Sequence, residues 1–363
     1  MRVHKLSPMI LAAAVVVLAT GVAQATDVFN LGGTRDPITG VWTGRASLET
    51  VPVGNVGNIG ELSGGSVPGG YGPDRICGAV DYNYNIGKYE VTAGQYTEFL
   101  NAVADTDAYG LYSAYMWSNT YGCKIQRTGS SGSYTYSVAA DRENRPVNYV
   151  SWGDAARFAN WLHNGQPTGA QGLSTTEDGA YYLNGARTDA QLKAVTRETD
   201  WKWAITSEDE WFKASYHKND GATGNYFKYP TSSNSVPSNV LGTPTDPGNN
   251  ATFYISNYTI GSPYWMTEVG AHENSDSPYG TFDQGGNVYE WNEALIVSSR
   301  GLRGGGWGWY YNSLAASDRY SYGSPTYESF DIGFRVANVP EPGSLILIVS
   351  GAIAALILWK RRK

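Results

Sequence analysis

The sequence predicts an α+β domain with little regular secondary structure, followed by a short apolar helix at the C-terminus. Three observations carry this. Only 16% of the 363 residues are charged, whereas Gly numbers 44, Tyr 27 and Trp 12, a mixture suited to a loop-rich fold held by aromatic packing. Helical periodicity surfaces in three short stretches, each opened by a capping signal, with turn-rich segments between them. An apolar run from Leu345 to Trp359 stands apart from everything before it.

The N-terminus reads as a secretory signal peptide over residues 1–25. Arg2, His4 and Lys5 give a basic start, Met9 to Val22 is apolar, and Ala23-Gln24-Ala25 is a small-x-small cleavage site, which puts the mature start at Thr26. Residues 26–79 form a lead-in, rich in Gly, Pro, Val and Thr up to about residue 75, that suits short strands and turns. In the first helix Thr92-x-x-Gln95 is the capping box, and Tyr96, Phe99, Leu100 and Val103 form the apolar stripe. In the second, Ser151-x-x-Asp154 precedes Ala155, Phe158, Ala159 and Leu162. In the third, Ser207-x-x-Glu210 precedes Trp211 and Ala214. Gly165 to Gly179 reads as a loop, and Ala180 to Leu183 as a short strand. Lys218 to Asn250 holds four prolines and no aliphatic period, which is long for a loop inside a compact domain. Gly-rich, strand-like pieces run from Asp283 to Ala337.

The tail resembles the PEP-CTERM sorting signal of Gram-negative bacteria over residues 339–363. Val339-Pro340-Glu341-Pro342-Gly343 precedes the apolar run, and Lys360-Arg361-Arg362-Lys363 ends the chain. The resemblance implies export, transient lodging in the inner membrane, processing by an exosortase-type enzyme, and an association with exopolysaccharide and biofilm matrix. Fifteen helical residues span about 22 Å, short of the ~30 Å hydrocarbon core, so the run is a marginal permanent anchor. The basic end belongs on the cytoplasmic side.

The net charge is −7. With two basic residues in the leader and four in the tail, residues 26–359 carry 20 basic and 33 acidic groups, a net −13. That balance argues against nucleic acid as a partner. Cys77 and Cys123 are the two cysteines, and an oxidising compartment makes a disulfide the simplest reading, worth roughly 4 kcal/mol for a loop of this length. A catalytic or metal-binding pair is the alternative.

Six blocks in order are similar to the formylglycine-generating enzyme, or sulfatase-modifying factor, family. They are Tyr84 to Thr92, Arg145 to Trp152, Ser207 to Trp211, Gly285 to Trp291, Arg303 to Trp307 and Ile332 to Val336. Together they define a domain over residues 80–338. The resemblance implies a variant C-type-lectin-like α+β fold. The family's oxidases convert a cysteine of a client sulfatase to formylglycine with a copper-binding cysteine pair, and thiolates suit Cu(I) because both are soft. A gapless carry-over places Trp309 and Leu314 at the two cysteine positions, and Gly306 at the motif serine. Neither side chain can ligate copper, so no copper, no formylglycine chemistry and no catalytic residue is expected. Other members are iron-dependent C–S bond-forming enzymes that need clustered histidines. Past the leader this chain has only His163, His217 and His272.

The resemblance also implies one structural Ca²⁺. Asp283 and Glu290 would supply carboxylates, and Gly286 and Val288 backbone carbonyls, a hard oxygen set suited to that ion. Alternatively, Glu290 pairs with a buried arginine. A second family site would fall near Asn250-Ala251-Thr252, where Thr252 replaces the expected Asn. Asp105-x-Asp107-x-x-Gly110 bears only a faint likeness to a calcium loop. Trp307, Trp309, Tyr310 and Tyr311, with Arg319, mark the candidate ligand-binding groove, though they also suit core packing, and Arg319 and Arg335 also suit a structural role. The expected function is an exported binding or structural protein of the matrix or envelope. The alternative is an enzyme using other chemistry in the same groove.

Overall fold

The computed structural model describes residues 28–36, 39, 41–242 and 246–339. Residues 1–25, expected to form a signal peptide, and nearly all of 339–363, expected to form a sorting signal, lie outside the described residues. Among those that are described, no helix is long and apolar enough to cross a membrane.

Among the described residues five short helices form: α1 (Ala93–Val103), α2 (Tyr115–Ser118), α3 (Trp152–His163), α4 (Asp189–Ala194) and α5 (Glu208–Tyr216). All three expected capping boxes close reciprocally. Thr92 accepts from the Gln95 amide while the Gln95 side chain accepts from the Thr92 amide, and Ser151/Asp154 and Ser207/Glu210 repeat the arrangement. Each box satisfies two amides that a helix start leaves without partners. The apolar stripes meet as their spacing requires. Tyr96, Phe99 and Leu100 of α1 and Phe158 and Leu162 of α3 are all buried. The Phe99 and Phe158 rings pack edge-on with centroids 5.3 Å apart, and Phe334 closes on Phe158 at the same separation. Helix α4 was not foreseen. Thr188 and Gln191 cap it, but six residues are too few to display a stripe.

Two four-stranded sheets frame the domain. Their strands are β1 (Thr50–Val53), β2 (Tyr84–Gly87), β3 (Trp203–Ile205), β4 (Tyr289–Ile296), β5 (Ser299–Arg303), β6 (Tyr320–Gly323), β7 (Ile332–Phe334) and β8 (Val336–Asn338). The first sheet runs β1-β2-β8-β3, antiparallel throughout. The second runs β6-β5-β4-β7, antiparallel except for the parallel pair β4·β7. Four two-stranded ribbons complete the strand content of the described residues, two of them in the lead-in (Thr34–Arg35 with Trp42–Thr43, and Glu61–Ser63 with Arg75–Cys77). The stretch foreseen as a strand at Ala180 to Leu183 makes only one bridge, Tyr181 to Arg197. The described residues of the segment Lys218 to Asn250 are irregular as expected, pinned by single bridges such as Ser238 to Asn250.

Between β7 and β8 stands a single residue, Arg335, where the chain passes from one sheet to the other. Arg335 is fully buried. Its Nε and Nη2 donate to the two carboxylate oxygens of Glu290 on β4, each at 2.6 Å, and its Nη1 donates to the Gly87 carbonyl on β2 at 2.8 Å. One guanidinium therefore ties both sheets.

The expected disulfide is not present. Cys77 and Cys123 are both free and buried. Cys77 packs with Trp211, Phe212 and Tyr216, whereas Cys123 sits in the large cluster built around α1 and α3, its amide donating to the Asn148 side chain. The chain delivers the two thiols to different parts of the core, and the loop-closure argument never applies. Burial pushes both thiols up, Cys123 to about 11.

Replacing either Glu290 or Arg335 by Ala should cost about 3–5 kcal/mol in denaturant titrations, because the remaining charge is buried alone. A Glu290→Leu/Arg335→Met double variant should lose less than either single one. Both cysteines should resist a thiol reagent until the chain is denatured, and reductant should leave the melting temperature unchanged.

Candidate functional site

The site is built on the loop that leaves β5. Gly304 and Gly305 hold positive φ, and a side chain at Gly304 would meet the Gln284 carbonyl at 2.6 Å. Gly306 differs. A Cβ there meets nothing closer than 3.5 Å, so the serine of the family motif is missing without any steric reason.

Past the glycines the chain leaves the core after Trp307, stays exposed over residues 308–312 and re-enters the core at Ser313. Trp307 is buried among Tyr121, Tyr258, Trp265 and Phe330, with ring centroids 5.1–5.6 Å away. Trp309 is 38% exposed and Tyr310 56%. Tyr311, also exposed, opens a 3-10 turn over Tyr311–Leu314. The Trp309 Nε1 donates to Asp331 Oδ2 at 2.7 Å, which fixes the indole while leaving part of it in solvent. Leu314 is fully buried against Tyr229, Ala251 and Phe253. The position aligned with the second copper cysteine is therefore core, and the first is a surface indole.

Trp309 and Tyr310 form a ridge shared by two pockets of about 490 and 460 Å³. The first is walled by Tyr71, Tyr289 and Tyr320, with Asp318 contributing to its lining. Tyr289 and Tyr320 stack at 4.9 Å, and Trp309 stands edge-on to both, at 5.6 and 5.7 Å. The second is lined by Tyr121, Tyr258, Trp307 and Phe330. Of the five residues foreseen for this groove, Trp307, Trp309 and Tyr310 line it. Tyr311 stands beside it on the surface.

Of the two roles expected for Arg319, groove residue or structural tie, its contacts are those of a structural tie. It is buried, and its Nε and Nη2 donate to Glu208 at 2.7 and 2.8 Å, so its donors are spent inside the protein. Glu208 also receives Arg303 at 2.7 Å and Arg75 at 3.0 Å. Burial alone would raise the Glu208 carboxyl, but the three arginines outweigh it and hold the group down at about 2.

Asp318, one residue earlier, escaped the sequence reading. It is 5% exposed, and its Oδ1 has no hydrogen-bond partner. Burial lifts its carboxyl to about 7, against the partial pull of Arg303. An Asp beside an Arg in sequence suggests an ion pair, and nothing in the sequence separates the one that faces a pocket from the one that faces the core.

Of the residues foreseen for calcium, Gly286, Val288 and Glu290 are buried and Asp283 is half-buried. Asp283 accepts from the Gly270 amide, and burial raises its carboxyl to about 6. Glu290 is occupied by Arg335 and by the Trp211 Nε1 at 2.7 Å, so the ion-pair alternative is the arrangement present. Glu90, buried nearby, has one oxygen without a partner. Burial first, and then the charges of Asp283 and Glu290, push its carboxyl well above the usual range. Three acids thus surround one arginine, a donor set of the right hardness and sign for Ca²⁺. Among the described residues no three His, Cys, Asp or Glu side chains converge on a metal geometry, so a cation here would depend on the carbonyls of Gly286 and Val288. At the second position, the Thr252 hydroxyl is engaged with Thr267 and His272. Asp107 is paired with Arg127 and caps its own loop through the Leu111 amide.

The histidines are dispersed. His217 meets the Tyr279 hydroxyl, His272 is buried and pushed down to about 4, and His163 accepts from the Lys202 amide. A pocket of about 640 Å³ opens around His163 and Lys202, but no carboxylate and no second imidazole lines it.

The sulfatase-modifying factor enzyme 1-like domain matches residues 72–340, and the chain belongs to that family. Solved structures to which the chain is similar include CarF (19% identical, 81% of this chain and 99% of that one, TM-score 0.49) and PvdO from Pseudomonas aeruginosa (18%, 81% and 95%, 0.44). Treponema denticola variable protein 1 is also similar (19%, 85% and 99%, 0.48). No curated protein sequence matches the chain.

Asp318 gives a pH signature. Its folded carboxyl titrates at about 7 and an unfolded one at about 4, so the native state holds the extra proton between these values and loses stability as pH rises through that window. Asp318→Asn lacks this loss. The melting temperature of the variant relative to the parent should rise between pH 5 and pH 8, and a flat difference would contradict the assignment.

Proposed function

We propose that this chain is an exported binding protein in which the family scaffold presents an aromatic groove to an extracellular polymer. The carrying observation is the Trp309–Tyr310 ridge between two aromatic-walled pockets, at the place where the family's oxidases hold copper. Indole and phenol faces bury large area at low entropy cost and stack on flat apolar surfaces such as sugar rings. The basic, apolar and Pro-Glu-Pro segments of the tail favour sorting by an exosortase-type enzyme and a place at the envelope or in the matrix, with exopolysaccharide or a matrix protein as partner. One structural Ca²⁺ at Asp283, Gly286, Val288 and Glu290 belongs to this reading through the family resemblance, and it would have to share Glu290 with Arg335.

A second reading, an enzyme of other chemistry in the same groove, is favoured by one observation. Asp318 titrates near neutrality beside a pocket, as general acids and bases do.

A glycan array probed with the purified chain should give hits among matrix-type polysaccharides. Trp309→Ala should weaken them by roughly tenfold or more with little change in melting temperature. Trp307→Ala should instead cost about 3–5 kcal/mol of stability, since it empties a packed site. Aldehyde formed on a sulfatase-type cysteine peptide with copper and oxygen would overturn the binding reading. Added Ca²⁺ should raise the melting temperature, Asp283→Ala should abolish that rise, and no response to Ca²⁺ would remove the ion from the account.

A further inference from the structure

The pocket on the Tyr289 side of the ridge has a chemical bias that the other lacks. Its walls are the rings of Tyr71, Tyr289, Trp309 and Tyr320, and its one ionisable carboxyl is Asp318, with no Lys, Arg or His among its lining residues. Ring faces carry negative electrostatic potential, so carboxylate and π faces here act with the same sign. The guanidinium whose charge reaches Asp318, that of Arg303, is committed. It donates to Glu208 through Nε and Nη2, and only to the main-chain carbonyl of Asp318, at 2.7 Å through Nη1. The phenols of Tyr216 on α5 and Tyr289 on β4 also feel the Asp318 charge, and they stay neutral because burial holds their ionisation far above physiological pH. Asp318 Oδ1 is left buried without a donor. Leaving such a group unpaired is costly, and a ligand that brings the missing donor recovers that cost.

We propose that this pocket recognises an ammonium group carried on a sugar ring, that is, a hexosamine unit with a free amine. This rests on the reading of the groove as a glycan site and specifies which glycan it takes. The ring stacks on the aromatic wall, and the ammonium meets Asp318 and the surrounding π faces. The volume of about 490 Å³ admits a sugar unit with room for its neighbours along the ridge. The same bias disfavours anions, which excludes sulfated and uronic acid units as occupants of this pocket.

The test is calorimetry on the purified full-length chain with three tetrasaccharides, β-1,4-linked glucosamine, its N-acetylated counterpart and a glucose tetramer, alongside tetramethylammonium. The expected result is about tenfold or greater preference for the free amine over the acetylated form, because a charge-assisted hydrogen bond and a cation–π contact are lost on acetylation. Asp318→Asn, checked by its melting curve, should bring the two forms to within about twofold. Trp309→Ala, a change at the exposed rim, should weaken both forms together. Equal binding of the free and acetylated tetramers by the parent chain would overturn the ammonium inference and leave the groove reading standing. Binding of tetramethylammonium without any tetrasaccharide would overturn both, as would binding of none of the four.

Discussion

A buried ion pair at the joint between the two sheets holds this fold together. Strand β7 belongs to one sheet and β8 to the other, and Arg335 is the single residue between them. A residue there has no room for water, and a charged one is tolerable only with every donor met. The bidentate grip on Glu290 and the bonds to the Gly87 and Phe282 carbonyls meet that demand. Such a pair adds little net stability compared with a hydrophobic replacement, but it permits only one relative placement of β4, β7 and β2. Register across the two sheets follows from it.

A second knot of charge does the same for the groove. Glu208, in the first turn of α5, gathers Arg303 at the end of β5, Arg319 ahead of β6 and Arg75 of the lead-in. The aromatic loop lies between Arg303 and Arg319, so both of its ends are fastened to one carboxylate beneath it. Asp318 is held beside the pocket because its neighbour is held in the knot. The lead-in is part of this structure too, since Arg75 reaches Glu208 and the Tyr71 region forms one wall of the pocket.

Local signals in the sequence were reliable where the physics is local. Thr92, Ser151 and Ser207 cap helices because a capping box involves four consecutive residues, and the stripes behind them pack as their spacing requires. Information carried by long-range contact was not accessible in the same way. The fate of Cys77 and Cys123 depends on which core cluster the chain delivers each of them to, and parity of cysteine count says nothing about that. Arg319 looked like a groove residue because it neighbours the groove in sequence, whereas its partner Glu208 lies 111 residues away. Glu290 was identified as important, and its first obligation is to an arginine 45 residues further on. The aromatic ridge itself was legible, since Trp309 and Tyr310 stand just past the fifth family block, Arg303 to Trp307, where the family keeps its groove.

The hydrogen bond from the Trp309 indole to Asp331 has a consequence for how the ridge meets a ligand. Asp331 is itself braced by the Ser329 hydroxyl, so the ring plane is set before anything arrives. A rigid plate loses little rotational freedom on contact, and selectivity then comes from whatever surrounds it rather than from its own adjustment. Exchange of the bordering residues would retune what the surface accepts while the plate and the scaffold behind it stay in place.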